Sequence, residues 1–499
     1  MPDWILLIIK LVYTASVVWM AAYGLACLAL VLLYHFGRKT RPMRTLKASQ
    51  KDLPAVTIQL PVYNESQLMR RLLNRIAALE YPRDRLQVQV LDDSTDDTPR
   101  ILEHWVSQIR GKGLEIGIIH REDRRGFKAG ALRNGLSTAT GELIAIFDAD
   151  FAPPKNWLLR ATAAFDDPRV GCVQTRWGFS NAQSSPLTRA IALSLNGHFL
   201  IEQAARSNHH LMLGFNGTAG MWRRACIEDA GGWQDDTLTE DLDLSYRAQL
   251  RGWRIRFLPD IVVPSLLPDQ LDAFKKQQYR WAKGSMQTAR KIYPGLMRAK
   301  IPETTRLMGL IHLGGYAASL CMLLSFLALI PLGLYAPAFF RLFPFTVISS
   351  LGPPLLYLSA RSKDFPTLPS RLAALAQLIL IGYGISLNNA IAVLDGLVSR
   401  DVGEFVRTPK TKRSRARKDM VQPNLRRKAD PMAIAELALA LIAIMAIDLL
   451  STRLGCGIVP WLMLYAGGYG YMASGIFSES IILPSSQPAH VSARQRVPR

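Results

Sequence analysis

The 499-residue chain predicts an α/β domain on a mostly parallel sheet, set between α-helical segments long enough to cross a membrane. Three observations carry this. Residues 50–290 alternate short apolar runs with helical patterns, the signature of a mostly parallel sheet. Leu11–Phe36 is an almost unbroken apolar run of 26 residues, enough to span a bilayer. The remaining long apolar runs gather in the last two-fifths, so the 49% hydrophobic share is unevenly placed.

The first run is too long for a signal-peptide core and has no small-residue cleavage site, so it reads as a retained anchor. Arg38, Lys39, Arg41, Arg44 and Lys47 follow it and place that end, with the domain beyond, in the cytosol. Leu307–Tyr335 and Leu342–Ala360 read as two further spans. Leu372–Val398 carries Asn388, Asn389 and Asp395 among aliphatics and reads as an amphipathic helix on the cytosolic interface. Met432–Leu450 and Gly457–Ile476 form a closing hairpin, five spans in all. The expected units are residues 1–48 (anchor and basic flank), 49–295 (cytosolic domain), 296–399 (two spans and the interfacial helix), 400–430 (basic loop), 431–477 (hairpin) and 478–499 (disordered tail). The protein is expected in the plasma or inner membrane.

The formal charge of +21 does not point to nucleic acid, because its densest stretch flanks apolar segments. Arg400–Lys428 holds eleven Lys or Arg against three acids, which suits a cytosolic loop near anionic membrane lipids. Five scattered cysteines without CxxC spacing indicate neither a disulfide framework nor a zinc site.

Three strands end in polar residues, where open α/β sheets bind ligands. Val56–Leu60 leads into Tyr63-Asn64-Glu65, Gln87–Leu91 into Asp92-Asp93, and Leu143–Phe147 into Asp148-Ala149-Asp150. Taken alone, the last pattern is a solvated acidic turn. With its companions it reads as two carboxylates which, together with diphosphate oxygens, suit Mg2+ or Mn2+. The glycine patterns of P-loop and dinucleotide-binding proteins are absent. Arg124-Arg125-Gly126-Phe127-Lys128 offers cations near a polyanion, or simply a basic turn. Thr239-Glu240-Asp241 opens a helix, a position that favours carboxylates through capping and dipole alone. Gln277, Arg280 and Trp281 share one helical face, suited to a sugar diphosphate and a pyranose ring, or to a helix resting on the membrane.

In this order the motifs Asp92-Asp93, Asp148-Ala149-Asp150, Thr239-Glu240-Asp241 and Gln277-x-x-Arg280-Trp281 resemble those of processive family 2 glycosyltransferases. The wording around Phe127–Leu132 and Gly214–Gly220 is most similar to cellulose-synthase-like A mannan and glucomannan synthases. The resemblance implies a GT-A fold and inverting, metal-dependent hexosyl transfer. The donor would be a nucleotide-sugar, GDP-mannose or UDP-glucose, and the acceptor a growing β-linked polysaccharide or a lipid-linked glycan. It also implies roles: Tyr63, Glu65, Asp92 and Asp93 at the nucleotide with Lys128 nearby, Asp148 and Asp150 at the metal, and Asp241 with Glu240 at the acceptor hydroxyl. Arg280 and Gln277 would stabilise the leaving diphosphate, and Trp281 would stack on the acceptor. Glu404–Lys410 resembles the gating loop of bacterial cellulose synthase. A glycolipid synthase making few transfers, and a non-catalytic membrane scaffold or transporter, are the alternatives.

Overall fold

The computed structural model describes residues 1–37, 53–342, 350–399, 401–403 and 430–482. The basic flank after the first helix, the gating-like loop and residues 483–499 therefore lie outside the described residues, while 478–482, expected as the start of a disordered tail, end helix Val459–Ile482.

Seven strands form one sheet: β1 (Val56–Val62), β2 (Leu86–Asp92), β3 (Glu115–His120), β4 (Leu143–Ile146), β5 (Val170–Phe179), β6 (Gly220–Arg223) and β7 (Arg254–Ser265). Their order is β3-β2-β1-β4-β6-β5-β7. The first four run parallel, as expected, whereas β6 is antiparallel to both β4 and β5. The three motif-bearing strands are neighbours in register: Val56 pairs with both Leu86 and Leu143. Their C-terminal ends thus open on one rim. Helices cover both faces; β4 is apolar on both sides, whereas β1 and β2 turn Thr57, Gln59, Gln87 and Gln89 to one face, where they bond across the strands. Ile58, Leu60, Phe147 and Trp157 lie in the core on one face, and Ile144, Ile146, Phe215 and Trp222 on the other. Buried Gln59 Nε2 donates to Gln89 Oε1 at 3.0 Å, and Gln89 Nε2 donates to Thr138 Oγ1 at 3.1 Å.

Helix Leu271–Arg298 runs past the expected domain end and joins the sheet domain to the apolar helices. Buried pairs fix it there. Lys275 Nζ lies 2.7 Å from Glu436 of helix Pro431–Leu454, and Lys283 Nζ 2.9 Å from Asp395 of helix Ser386–Val398. Tyr279 also donates to Asp395 at 2.9 Å.

By length and composition, three described helices can cross a membrane: Asp3–Phe36, Ala317–Tyr335 and Pro431–Leu454. Instead of one interfacial helix over 372–398 there are two, Leu368–Gly384 and Ser386–Val398, bent by 50°, which would add a fourth span if they cross as one. The close pass of Gly384 against Gly468 sits at this bend, where a Cβ on Gly384 would come within 2.2 Å of the Gly468 carbonyl oxygen. Helix Val459–Ile482 covers the expected last span, but its glycines and tyrosines leave it outside the three most apolar helices. The expected span over 342–360 is described only in part, chiefly as helix Gly352–Ser359. All five cysteines are free.

Candidate active site

The rim where β1, β2 and β4 end faces a cavity of about 650 Å³. Asp148, just past β4, is held by its own backbone N–H donating to Thr218 Oγ1 at 2.8 Å. Its carboxylate is 34% exposed and takes a 2.6 Å hydrogen bond from Lys128 Nζ. Asp150 turns inward, where Ser265 Oγ donates to it at 2.8 Å. Lys128 also donates to the Gly217 carbonyl at 3.0 Å. Burial works against its ammonium, but Asp148, Glu240 and Asp241 outweigh this and hold its pKa above the ordinary lysine value.

Thr239-Glu240-Asp241 leads into helix Glu240–Leu250, as expected. Its third acid, Asp243, is spent on structure, paired with Arg247 at 2.7 Å and Lys291 at 2.9 Å. The other two line the cavity. A helix N-terminus stabilises a carboxylate by roughly 1 kcal/mol at most when exposed. Burial wins here: it pushes the Glu240 carboxyl up against the pull of Lys128 and Arg280. Burial and then Glu240 push Asp241 up to about 7. Such a group can take a proton near neutral pH, which an ordinary aspartate does poorly. Gly217 passes beside it with φ +79°, and a Cβ there would lie 2.8 Å from Asp241 Oδ2.

Gln277, Arg280 and Trp281 line the same cavity from helix Leu271–Arg298. Burial lowers the pKa of Arg280, opposed by Glu240, Asp148 and Asp241. On the opposite side lie Tyr63, Glu65 and Asp93. The Arg124 guanidinium stacks 3.5 Å above the Tyr63 ring, and Arg121 holds Asp93 through two bonds of 2.7 and 2.5 Å. Asp92 is different. It is fully buried and absent from the cavity wall, with its oxygens taken by the Ser94 N–H at 3.1 Å and His120 at 2.8 Å. It props the turn that presents Asp93.

The sequence reading missed a second polar wall. Residues Gly197–Gln203 are π-helical, a geometry often found at functional sites. They carry His198 and Glu202 into the cavity, 3.0 Å apart, with Arg206 donating to Glu202 at 2.9 Å and Asn216 touching His198 at 2.9 Å. Burial would raise the Glu202 carboxyl, but Arg206 and His198 overcome it and hold it well below the usual carboxylate range. No motif marks these residues; only the nearby Gly214–Gly220 wording hinted at Asn216. Past them the cavity continues between Tyr23 and Cys27 of the first apolar helix, Tyr316, and Tyr357.

Among the described residues no three His, Cys, Asp or Glu side chains form a metal cluster. Asp148 and Asp150 instead supply two hard oxygen donors. This fits Mg2+ or Mn2+ bound partly through substrate phosphates, as such ions commonly are.

Residues 54–284 match the family model described as Glycosyltransferase like family 2. Probable glucomannan 4-beta-mannosyltransferase 15 of Arabidopsis thaliana is 42% identical over 283 residues, covering 53% of this chain and 52% of the relative. Glucomannan 4-beta-mannosyltransferase 2 of the same plant is 42% identical over 258 residues, covering 50% and 48%. The chain thus spans about half the length of the curated relatives it matches. Among solved structures, the mannosyltransferase PcManGT from Pyrobaculum calidifontis in complex with GDP-Man and Mn2+ aligns with a TM-score of 0.54 and 23% identity, covering 77% of this chain and 99% of that one. That likeness concerns the fold. The ordered motifs, the mixed sheet and the family match agree: residues 54–284 are a glycosyltransferase family 2 domain of GT-A fold.

Proposed function

We propose that the chain is an inverting hexosyltransferase that moves a sugar, mannose from GDP-mannose before glucose from UDP-glucose, onto a growing β-linked glycan. The observation that carries this is one cavity in which Lys128, Asp148, Glu240, Asp241 and Arg280 face each other. The mannosyltransferase relatives and the GDP-Man complex of the structural neighbour favour mannose.

Tyr63, Glu65 and Asp93 hold the nucleoside, with Arg124 stacked on the tyrosine. Asp148 and Asp150 would hold a divalent ion, which would supply charge neutralisation to the diphosphate. Lys128 and Arg280 supply further positive charge to the leaving diphosphate, the electrostatic term expected to lower the barrier most. The acceptor hydroxyl attacks the anomeric carbon, the bond from that carbon to the diphosphate oxygen breaks, and Asp241 receives the hydroxyl proton. A single displacement needs one base, and it inverts the anomeric centre. Glu240, protonated more readily than an ordinary glutamate, keeps its neighbour poised. Gln277 stands with Arg280 at the leaving diphosphate, and Trp281 stacks on the acceptor's terminal sugar.

Continuation of the cavity past His198 to Tyr23 and Tyr357 supports processive synthesis with the product leaving between the apolar helices. The test is to incubate membranes containing the full chain with labelled GDP-mannose or UDP-glucose, with and without chelator, and size the product. A chelator-sensitive polymer is expected. Only short, organic-extractable glycolipid would overturn the polymer reading, and no transfer from any donor would overturn the enzyme.

A further inference from the structure

A second cavity, of about 720 Å³, shares no lining residue with the first. Its walls come from three places. Tyr34 and His35 belong to the last turn of the first apolar helix, and Ser359 and Arg361 lie where helix Gly352–Ser359 ends. Both helices stop here, so the cavity sits where apolar helix gives way to the sheet domain. The third wall is made by a break in the β5–β7 ladder. Thr175 pairs with Leu258 but Arg176 with Val262, so Pro259, Asp260 and Ile261 bulge out of register. Bulges of this kind re-aim side chains. This one leaves Arg176 pointing into the cavity beside Pro259 and Asp260.

Arg176 is the feature that asks for a ligand. Its Nε is buried and makes no hydrogen bond among the described residues. Burial lowers its pKa against the pull of Asp260, Asp364 and Tyr34. Asp260 and Arg361 are exposed at the rim, where water screens them. A guanidinium fork matches phosphate oxygens better than any other common side chain. Leu200, Ala204 and Phe257 give the floor an apolar character that free phosphate does not use.

We propose that this cavity binds a phosphate-bearing anion at the membrane surface, the headgroup of an anionic phospholipid, with Arg176 on the phosphate and Arg361 at the rim. The site is independent of the sugar chemistry, so it stands or falls apart from the proposed function. It takes advantage of a surface where anionic lipid is concentrated and basic residues are favoured.

The experiment titrates full-length protein in neutral detergent with short-chain phosphatidylglycerol, phosphatidylcholine or inorganic phosphate, and follows the melting temperature. Phosphatidylglycerol should raise it saturably, with an affinity about tenfold weaker in R176Q and partly kept in R176K. R361Q should weaken it less. A matching, Arg176-dependent response to inorganic phosphate alone would replace the lipid with a free anion. Equal responses of wild type and R176Q, or of the two lipids, would overturn the site. If R176Q does not fold, R176K and R361Q decide: an unchanged affinity in both overturns the proposal.

Discussion

Asp241→Asn is expected to destroy transfer and at the same time stabilise the protein. The Asp241 carboxyl is pushed up to about 7 by burial and by Glu240, whereas an aspartate in an unfolded chain titrates near 3.9. That gap corresponds to roughly 4 kcal/mol of disfavoured charge at high pH. Two neighbouring carboxylates share the burden, so removing one relieves only a part, about 1–3 kcal/mol. The folded-state pKa lies above the unfolded one, so the contribution favours folding fully below about 3.9 and is lost as pH rises through about 7. Through this group the wild type should melt lower at pH 8 than at pH 6, and Asn should remove that slope. A domain of this size gains about 2–4 °C in melting temperature per kcal/mol. Loss of a general base should lower transfer by about 10²–10⁴-fold, and wild-type transfer should rise with pH through about 7. Melting curves at the two pH values, with transfer measured on the same preparations, check both. A variant that melts below wild type at pH 8 would refute the buried-charge argument. One that transfers within tenfold of wild type would refute the base.

Two further outcomes follow from packing. Gly217→Ala places a Cβ 2.8 Å from Asp241 Oδ2 at a backbone of φ +79°, so turnover should fall about 10²-fold while donor affinity, read by calorimetry, holds. Glu436→Gln strips the partner from buried Lys275 and should cost about 3–5 kcal/mol, whereas Lys275→Met with Glu436→Leu should recover most of it, as read by melting of the detergent-solubilised chain.

The sequence made the strand ends legible because each motif follows a short apolar run whose period and turn residues are local. Asp148 and Asp150 came from that rule, and the helix face of Gln277, Arg280 and Trp281 from their i, i+3, i+4 spacing. The same rule could not separate Asp92 from Asp93, because neighbouring residues at a strand end leave by opposite faces and only the His120 partner on β3 shows which side is interior. Ser265, 115 residues from Asp150, has no local signal at all. His198 and Glu202 were hidden for a different reason: an i, i+4 polar pair is common on any helix, and only the contacts with Arg206 and Asn216 show that this one faces the cavity. Antiparallel β6 is four residues long and sits after a glycine-rich turn, too short for any periodicity to show its direction. The 50° bend after Gly384 likewise turns one apolar run into two helices.

Tyr23 and Cys27, on the first apolar helix, share a cavity with Asp241, though more than two hundred residues of chain separate them. That helix is therefore masonry of the reaction chamber as well as a tether. If the chain acts as proposed, a version lacking residues 1–37 would not be the same catalyst. Its cavity would lose a side, and solvent or detergent would enter along the proposed exit path. Exchanging the helix for another apolar sequence of equal length would restore attachment without restoring the wall.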